Sequence, residues 1–275
     1  MKRIIILSGV ILLILLINFY QYTSKNIREE ILMIDNVTSS NTTITIVYDN
    51  YEYDKRLSIG FGFSCLVKIE DKNILFDTGG DSPILLNNLE KSGVDLKEID
   101  IIVLSHIHGD HTGGLTGVLE VNPDVTVYIP KSFPNNFKEE IKSYGASSVD
   151  VSNSIKIWDG VYSTGELGTW IREQSLIIKT DKGLVVITGC AHPGVVNIVK
   201  KAKEITKDDV YLVTGGFHLG EASDSEINSI IESFRNLGVK KTAPCHCTGD
   251  RAIRVFEEEY KENFIKAGVG RVIKI

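Results

Sequence analysis

The amino-acid sequence predicts an α/β (α+β) chain in which two sheets are sandwiched by helices, preceded by an N-terminal hydrophobic helix. Three observations predict it. Short apolar or alternating runs, readable as strands, recur from Thr42 onward, and some pair as hairpins. Segments with helical spacing of apolar residues are interspersed among them. Ahead of both stands Ile4 to Ile17, an almost unbroken apolar run behind Lys2-Arg3.

From Ile4 to Tyr22 a helix would extend roughly 28 Å at about 1.5 Å per residue, close to a hydrocarbon core of about 30 Å. Phe19, Tyr20 and Tyr22 suit an interfacial belt, and Lys2-Arg3 suits a cytoplasmic start. Residues 1–25 therefore read as a signal anchor, with a cleaved signal peptide as the alternative. Either reading places the catalytic body outside the cytoplasmic membrane, anchored or secreted. Residues 26–42 read as a polar connector and 43–275 as the catalytic domain.

Within that domain Thr43 to Tyr48 alternates as a strand. Phe63 to Ile69 and Asn73 to Phe76 read as a hairpin across Glu70-Asp71-Lys72. Asp81-Ser82-Pro83 opens a helix, with proline at an early position that costs no hydrogen bond, and the helix stops near Gly93. Ile101 to Leu104, Val125 to Ile129, Ser154 to Trp158, Ser175 to Lys179 and Leu184 to Thr188 are further strands. Val195 to Lys203 reads as a helix and Val210 to Thr214 as a strand. Ser223 with Glu226 forms a capping box for a helix whose Ile227, Ile230, Ile231, Phe234 and Leu237 make one core-facing stripe, and Gly238 ends it. Val239 to Ala243 is a strand, Asp250 to Tyr260 a helix, and Arg271 to Ile275 a last strand.

The 275 residues, 43% hydrophobic, can bury a full core. A net charge of −6 leaves no basic footprint for nucleic acid. Cys65, Cys190, Cys245 and Cys247 do not form a disulfide framework, because Cys245 and Cys247 flank His246 too closely for an ordinary bridge. Cys190 and Cys247 each lie near a candidate site histidine.

The strongest chemical signal is Ser105-His106-Ile107-His108-Gly109-Asp110-His111. It packs four metal-capable side chains into six residues, directly after an apolar strand. If the chain stays extended past Leu104, His106 and His108 project to one side, and Asp110 and His111 follow on the next turn. Burying so many polar groups without a cation would be costly. The three remaining histidines, His192, His218 and His246, also follow apolar strands, so all six histidines fall on loops where sites usually lie.

These residues resemble the metallo-β-lactamase superfamily. The His-x-His-x-Asp-His motif at 106–111 and Phe76-Asp77-Thr78-Gly79 carry that resemblance. Glu173-Gln174-Ser175-Leu176, Gly189-Cys190-Ala191-His192-Pro193-Gly194, Gly215-Gly216-Phe217-His218-Leu219 and His246-Cys247-Thr248-Gly249 resemble the branch related to archaeal dihydropterin–ribofuranosylaminobenzene phosphate synthase. The resemblance implies an αββα sandwich with one or two divalent metal ions at the sheet edges. By position it assigns His106, His108 and His192 to one metal, and Asp110, His111 and His246 to the second, with Asp77 behind them orienting ligands. Zinc is the first choice, and iron or manganese accept the same donors. The chain departs from many superfamily hydrolases at two places. Glu173 stands where they carry a histidine, and Gly189-Cys190 stands where they carry a bridging aspartate.

The expected function is a metal-dependent hydrolase that uses hydroxide formed at the metal on a small, anionic ester or phosphate-bearing substrate. Asp110 is expected to ligate and to take a proton from attacking water. His218 is a candidate general acid or phosphate-binding donor, with a structural role as its alternative. Two other functions fit the same residues: a pterin-type synthase releasing pyrophosphate, and a membrane-tethered metal-binding sensor.

Overall fold

The computed structural model describes residues 38, 39 and 41–275. Two sheets form from the strand-like runs. The first contains β1 (Thr42–Tyr48), β2 (Ser64–Ile69), β3 (Lys72–Phe76), β4 (Ile101–Val103), β5 (Thr126–Pro130), β6 (Ser147–Val151) and, at its edge, β13 (Val272–Lys274), in the order β13-β1-β2-β3-β4-β5-β6. The second contains β7 (Ile155–Trp158), β8 (Val161–Ser163), β9 (Leu176–Thr180), β10 (Gly183–Thr188), β11 (Val210–Gly216) and β12 (Lys241–Cys245), in the order β12-β11-β10-β9-β8-β7. Pairing is parallel from β3 to β6 and from β10 to β12, and antiparallel elsewhere.

Strand alternation explains the layering. On β3, Ile74 and Phe76 enter the core between the sheets, whereas Leu75 faces the opposite side. On β10, Val185 and Ile187 meet that same inter-sheet core, whereas Leu184 and Val186 face outward. Each outer face is then covered by helices. Helices α1 (Ser82–Lys91), α3 (Leu115–Val121) and α4 (Asn135–Ser143) cover the first sheet through Leu85, Leu89, Leu115, Val118 and Ile141. Helices α5 (Val195–Thr206), α6 (Asp224–Asn236) and α7 (Asp250–Tyr260) cover the second through Ile198, Val199, Ile231, Phe234 and Phe256. Between β4 and α3 lies one short turn of helix, α2 (Gly109–Thr112). The result is the αββα order of layers.

Local signals in the sequence act as expected. The Asp81 side chain accepts the Ile84 amide at the start of α1, and Pro83 sits in its first turn. Both halves of the Ser223–Glu226 capping box are formed. Some boundaries moved: α5 runs on to Thr206, β11 to Gly216, and the strand expected at 239–243 occupies Lys241–Cys245, so β12 runs directly up to His246. Helices α3 and α4 and strands β6 and β8 had no counterpart in the sequence reading.

Residues 1–25, read as a hydrophobic helix, lie outside the described residues. Among the described residues no helix is long and apolar enough to cross a membrane. The expected membrane-anchored or exported placement is therefore corrected, because no span in the described structure supports it.

The two sheets are also tied by a buried amide. Gln174 Nε2 donates to the carbonyls of Leu104, just past β4, and Tyr128 of β5 in the first sheet, while its Oε1 accepts from Ser163 of β8 at 2.6 Å. Its backbone N–H also donates to the Ser105 carbonyl. Gln174→Ala should leave buried polar groups unpaired and lower unfolding free energy by about 1–3 kcal/mol, read from urea denaturation. An unchanged midpoint would show that this amide does not fasten the strand end to its partner sheet.

Candidate metal centre

Every chemically capable side chain of the site leaves the carboxyl end of a strand. Asp77 follows β3, residues 105–111 follow β4, Cys190 and His192 follow β10, His218 follows β11, and His246 follows β12. Parallel pairing brings these ends to one edge of the sandwich. The turns there are tight: Asp77, Ala191, His218 and His246 are four of the seven non-glycine residues with positive φ among those described, at +55°, +61°, +55° and +49°. Such conformations cost about 1–3 kcal/mol each and persist only where surrounding contacts impose them.

Asp77 organises the first loop. Its Oδ1 accepts the Ser105 backbone N–H at 2.6 Å. Its Oδ2 accepts the Ser105 hydroxyl at 2.7 Å and the His111 Nδ1–H at 2.7 Å. Because the Ser105 hydrogen is committed to Asp77, Ser105 Oγ accepts from His106 Nδ1, 2.9 Å away. On the far side, Asn50 Oδ1 accepts from His246 Nδ1 at 3.1 Å and from the Gly62 amide. Acceptors therefore hold the Nδ1 hydrogens of His106, His111 and His246, and each leaves an Nε2 lone pair for the site.

Those lone pairs converge. His111 Nε2 and His246 Nε2 lie 3.2 Å apart, with Asp110 Oδ2 3.5 Å from the first and 3.3 Å from the second. Cys190 Sγ is 3.2 Å from His111 Nε2. Beside them, His106 Nε2 is 3.0 Å from His108 Nδ1, and the ring of His192 packs 4.8 Å from that of His106. His192 Nε2 is buried without a hydrogen-bond partner. Two imidazole nitrogens 3.2 Å apart beside a thiol can share no more than a proton between them, and the buried His192 nitrogen has no partner, so a cation among these atoms would satisfy them better. The donor set therefore fits divalent metal binding.

The structure thus gathers His106, His108 and His192 into one group and Asp110, His111 and His246 into another, with Cys190 in the second. His218 lies at the rim, its ring 4.4 Å from that of His192, and hydrogen-bonded with Cys247. Phe61, largely exposed, covers the other rim with its ring 5.3 Å from His246.

Electrostatics follow from burial and crowding. Burial, followed by the neighbouring imidazoles of His111, His192 and His108, pushes the pKa of His106 far down, which keeps it neutral. Burial would raise the Asp110 carboxyl, but hydrogen bonds from His111 and His246 outweigh it and hold Asp110 ionised. Against burial, which lowers it, Asp77 and Asp110 raise the pKa of His111 to about 10, so without metal its Nε2 carries a proton toward Asp110, and a bound cation would take that proton's place. Burial and the neighbouring His218 and His108 also lower His192, to about 4.

Glu173 does not face the metal-capable atoms. Its carboxylate accepts the amides of Cys190, Ala191 and His192 at 3.0, 2.8 and 2.8 Å. It therefore holds the loop that presents Cys190 and His192. Burial pushes its pKa up to about 7, against the pull of those amides. Asn50 was missed entirely, since a lone asparagine far from the motifs gives no signal in sequence. Cys190 was singled out only through its neighbour His192.

Comparison with known proteins identifies the family. The family model described as the metallo-beta-lactamase superfamily matches residues 58–200. A 7,8-dihydropterin-6-methyl-4-(beta-D-ribofuranosyl)-aminobenzene-5'-phosphate synthase from Methanocaldococcus jannaschii is 33% identical, over 84% of this chain and 95% of its own. Among solved structures, Tm1679, a metal-dependent hydrolase of the beta-lactamase superfamily, superposes with a TM-score of 0.72 and 28% identity, covering 85% of this chain and 99% of that one. A diphosphatase from the PhnP family shares the fold, with a TM-score of 0.59 at 15% identity, over 86% of this chain and 97% of that one.

The anchoring of the 190–192 loop is open to direct test. Glu173→Gln replaces one acceptor oxygen with an N–H₂ group that faces backbone donors. Metal affinity should fall about 10- to 100-fold, measured by competition with a chromophoric chelator. Unchanged affinity would mean that the three amide contacts do not position His192 and Cys190.

Proposed function

The chain belongs to the metallo-beta-lactamase superfamily, and from that premise we propose that it is a metal-dependent hydrolase of a small ester or phosphate-bearing molecule. In this reading His106, His108 and His192 hold one divalent cation, and Asp110, His111 and His246 hold a second, with Cys190 beside it. The observation that carries the reading is the convergence of the His111 and His246 Nε2 lone pairs on Asp110, each fixed by an acceptor at the opposite nitrogen. Bound there, a divalent cation supplies Lewis acidity and a water that ionises near neutral pH.

The chain's own residues supply the rest. Asp110 is kept ionised by His111 and His246 and is only partly buried, so it can accept a proton from attacking water at the mouth of the site. Asp77 and Asn50 keep the imidazoles from turning, which limits reorganisation during reaction. The site's placement at parallel strand ends leaves it open to a small substrate. The 28% identity to Tm1679 across nearly all of that chain supports hydrolysis.

A synthase reading has its own support in the 33% identity to the archaeal relative across 95% of its length. There the same groups would stabilise a leaving pyrophosphate while a new bond forms. The two separate in one experiment. Purified protein of known metal content is offered carboxylic esters, phosphomonoesters and phosphodiesters, and separately a pterin pyrophosphate donor.

Turnover in the first panel is expected. Asp110→Asn should lower kcat by about 10²- to 10⁴-fold. His108→Ala should lose one equivalent of metal along with turnover while the chain still folds, as read by elemental analysis and circular dichroism. Pyrophosphate release without ester cleavage would replace hydrolysis by the synthase reading, and a metal-loaded protein inert in both panels would reject each.

A further inference from the structure

Beside the two groups already described lies a third cluster of metal-capable atoms, which shares only Cys190 with them. We propose that Cys190, His218 and Cys247 form a third cation site, selective for a thiolate-binding divalent metal and joined to the Asp110–His111–His246 group through the Cys190 sulfur. The two sulfurs and a ring nitrogen of His218 lie within 4.8 Å of one another. A tetrahedral cation with bonds of about 2.0–2.3 Å can be closed upon from such spacing. All four cysteines are free thiols, so Cys190 and Cys247 are both available as ligands.

The backbone is shaped to bring these three atoms together. His218 adopts a positive φ of +55° just past β11, with its ring 4.4 Å from that of His192 and hydrogen-bonded with Cys247. Cys247 lies where a side chain on Gly216 would collide with it: a Cβ there would meet Cys247 Sγ at 2.6 Å and the Gly189 carbonyl oxygen at 2.4 Å. Gly216 thus clears the space into which the Cys247 sulfur points, 3.6 Å from the Cys190 carbonyl.

Chemistry distinguishes this cluster from its neighbours. The His106–His108–His192 group offers only nitrogen, and Asp110, His111 and His246 offer oxygen and nitrogen. Two sulfurs and one imidazole make the softest donor set in the molecule's described part, the kind that favours zinc-like over magnesium-like cations. Three protein ligands leave a fourth position open. His218 also lines a cavity of about 480 Å³ with Leu219, Glu221 and Glu226, and the two carboxylates favour a cation nearby. Cys190 is shared: its sulfur is 3.2 Å from His111 Nε2, so it would bridge two cations where many superfamily hydrolases place a bridging aspartate.

The test uses the full chain, reduced and stripped with chelator, then titrated anaerobically with Co²⁺. Metal per chain is counted by elemental mass spectrometry, and thiolate ligation is followed by the sulfur-to-cobalt absorption in the near ultraviolet. Wild type should take up three equivalents, with a rise in that absorption accompanying the third. Cys247→Ser, a one-atom change, and His218→Ala should each stop at two. Wild-type uptake of two or fewer, or a folded variant that matches wild type at three, overturns the proposal.

A second measurement needs no variant. Alkylation of the partly exposed Cys247 by iodoacetamide should slow at least tenfold on addition of the third equivalent, and an unchanged rate also overturns the site. Neither readout involves turnover, so a failed hydrolysis panel and a failed third site are told apart.

Discussion

One buried carboxylate, Asp77, sets the geometry on which the metal centre depends. It is fully inaccessible to solvent, and burying a charge of this kind is costly unless donors surround it. Asp77 receives three: the Ser105 amide, the Ser105 hydroxyl and His111 Nδ1–H. Its side chain lies across the end of β4, where it meets Ser105. The same contacts choose the His111 tautomer and, through Ser105, the His106 tautomer. Removing this carboxylate would leave two imidazoles free to rotate and a serine hydroxyl without its acceptor. The glycines around it belong to the same arrangement. A Cβ on Gly189 would meet Ser105 Oγ at 2.1 Å, so only glycine lets β10 end this close to the Asp77–Ser105 pair.

Glu173 repeats the logic on the opposite sheet. It too is buried and accepts three hydrogen bonds, but its donors are consecutive backbone amides, so it fixes a loop and not side-chain rotamers. The loop needs such a clamp because Ala191 is held at φ +61°, a strained conformation for a residue with a Cβ. Two carboxylates, one per sheet, therefore position the groups on either side of the site. Breaking a buried charge's partners is costly in a way that breaking a surface pair is not. For that reason both loops can keep strained backbone at the place where chemistry is expected.

Most of this was legible in the sequence, and the exceptions have physical causes. The His106–His111 cluster could be read because strand alternation and a following turn bring close neighbours in sequence to one side. His192, His218 and His246 could be read as site residues because each follows an apolar run. Asn50 could not, since its role depends on contact with a residue 196 positions away and no local pattern marks it. Helix α4 escaped because its nine residues are mostly polar and bury only Ile141. Strand β6 escaped because, at the sheet edge, only Val151 is fully buried. The N-terminal apolar run lies outside the described residues, and among those no helix is long and apolar enough to cross a membrane.

The exchange at 173 and 190 is best understood as one change and not two. Glu173 removes an imidazole from the site's edge and supplies an acceptor for the 190–192 amides. That acceptor stabilises a loop conformation in which Cys190 Sγ reaches within 3.2 Å of His111 Nε2. A carboxylate at 190 would stand beside Asp110 and Asp77 and add a third negative charge at close range. A thiol is neutral until a cation or a neighbouring base takes its proton. In this protein the sulfur donor therefore relieves like-charge crowding in the metal-free chain and still provides an anionic ligand when metal binds. The burial that keeps His106 neutral and the hydrogen bonds that keep Asp110 ionised act in the same direction: each leaves its donor in the form that a cation requires.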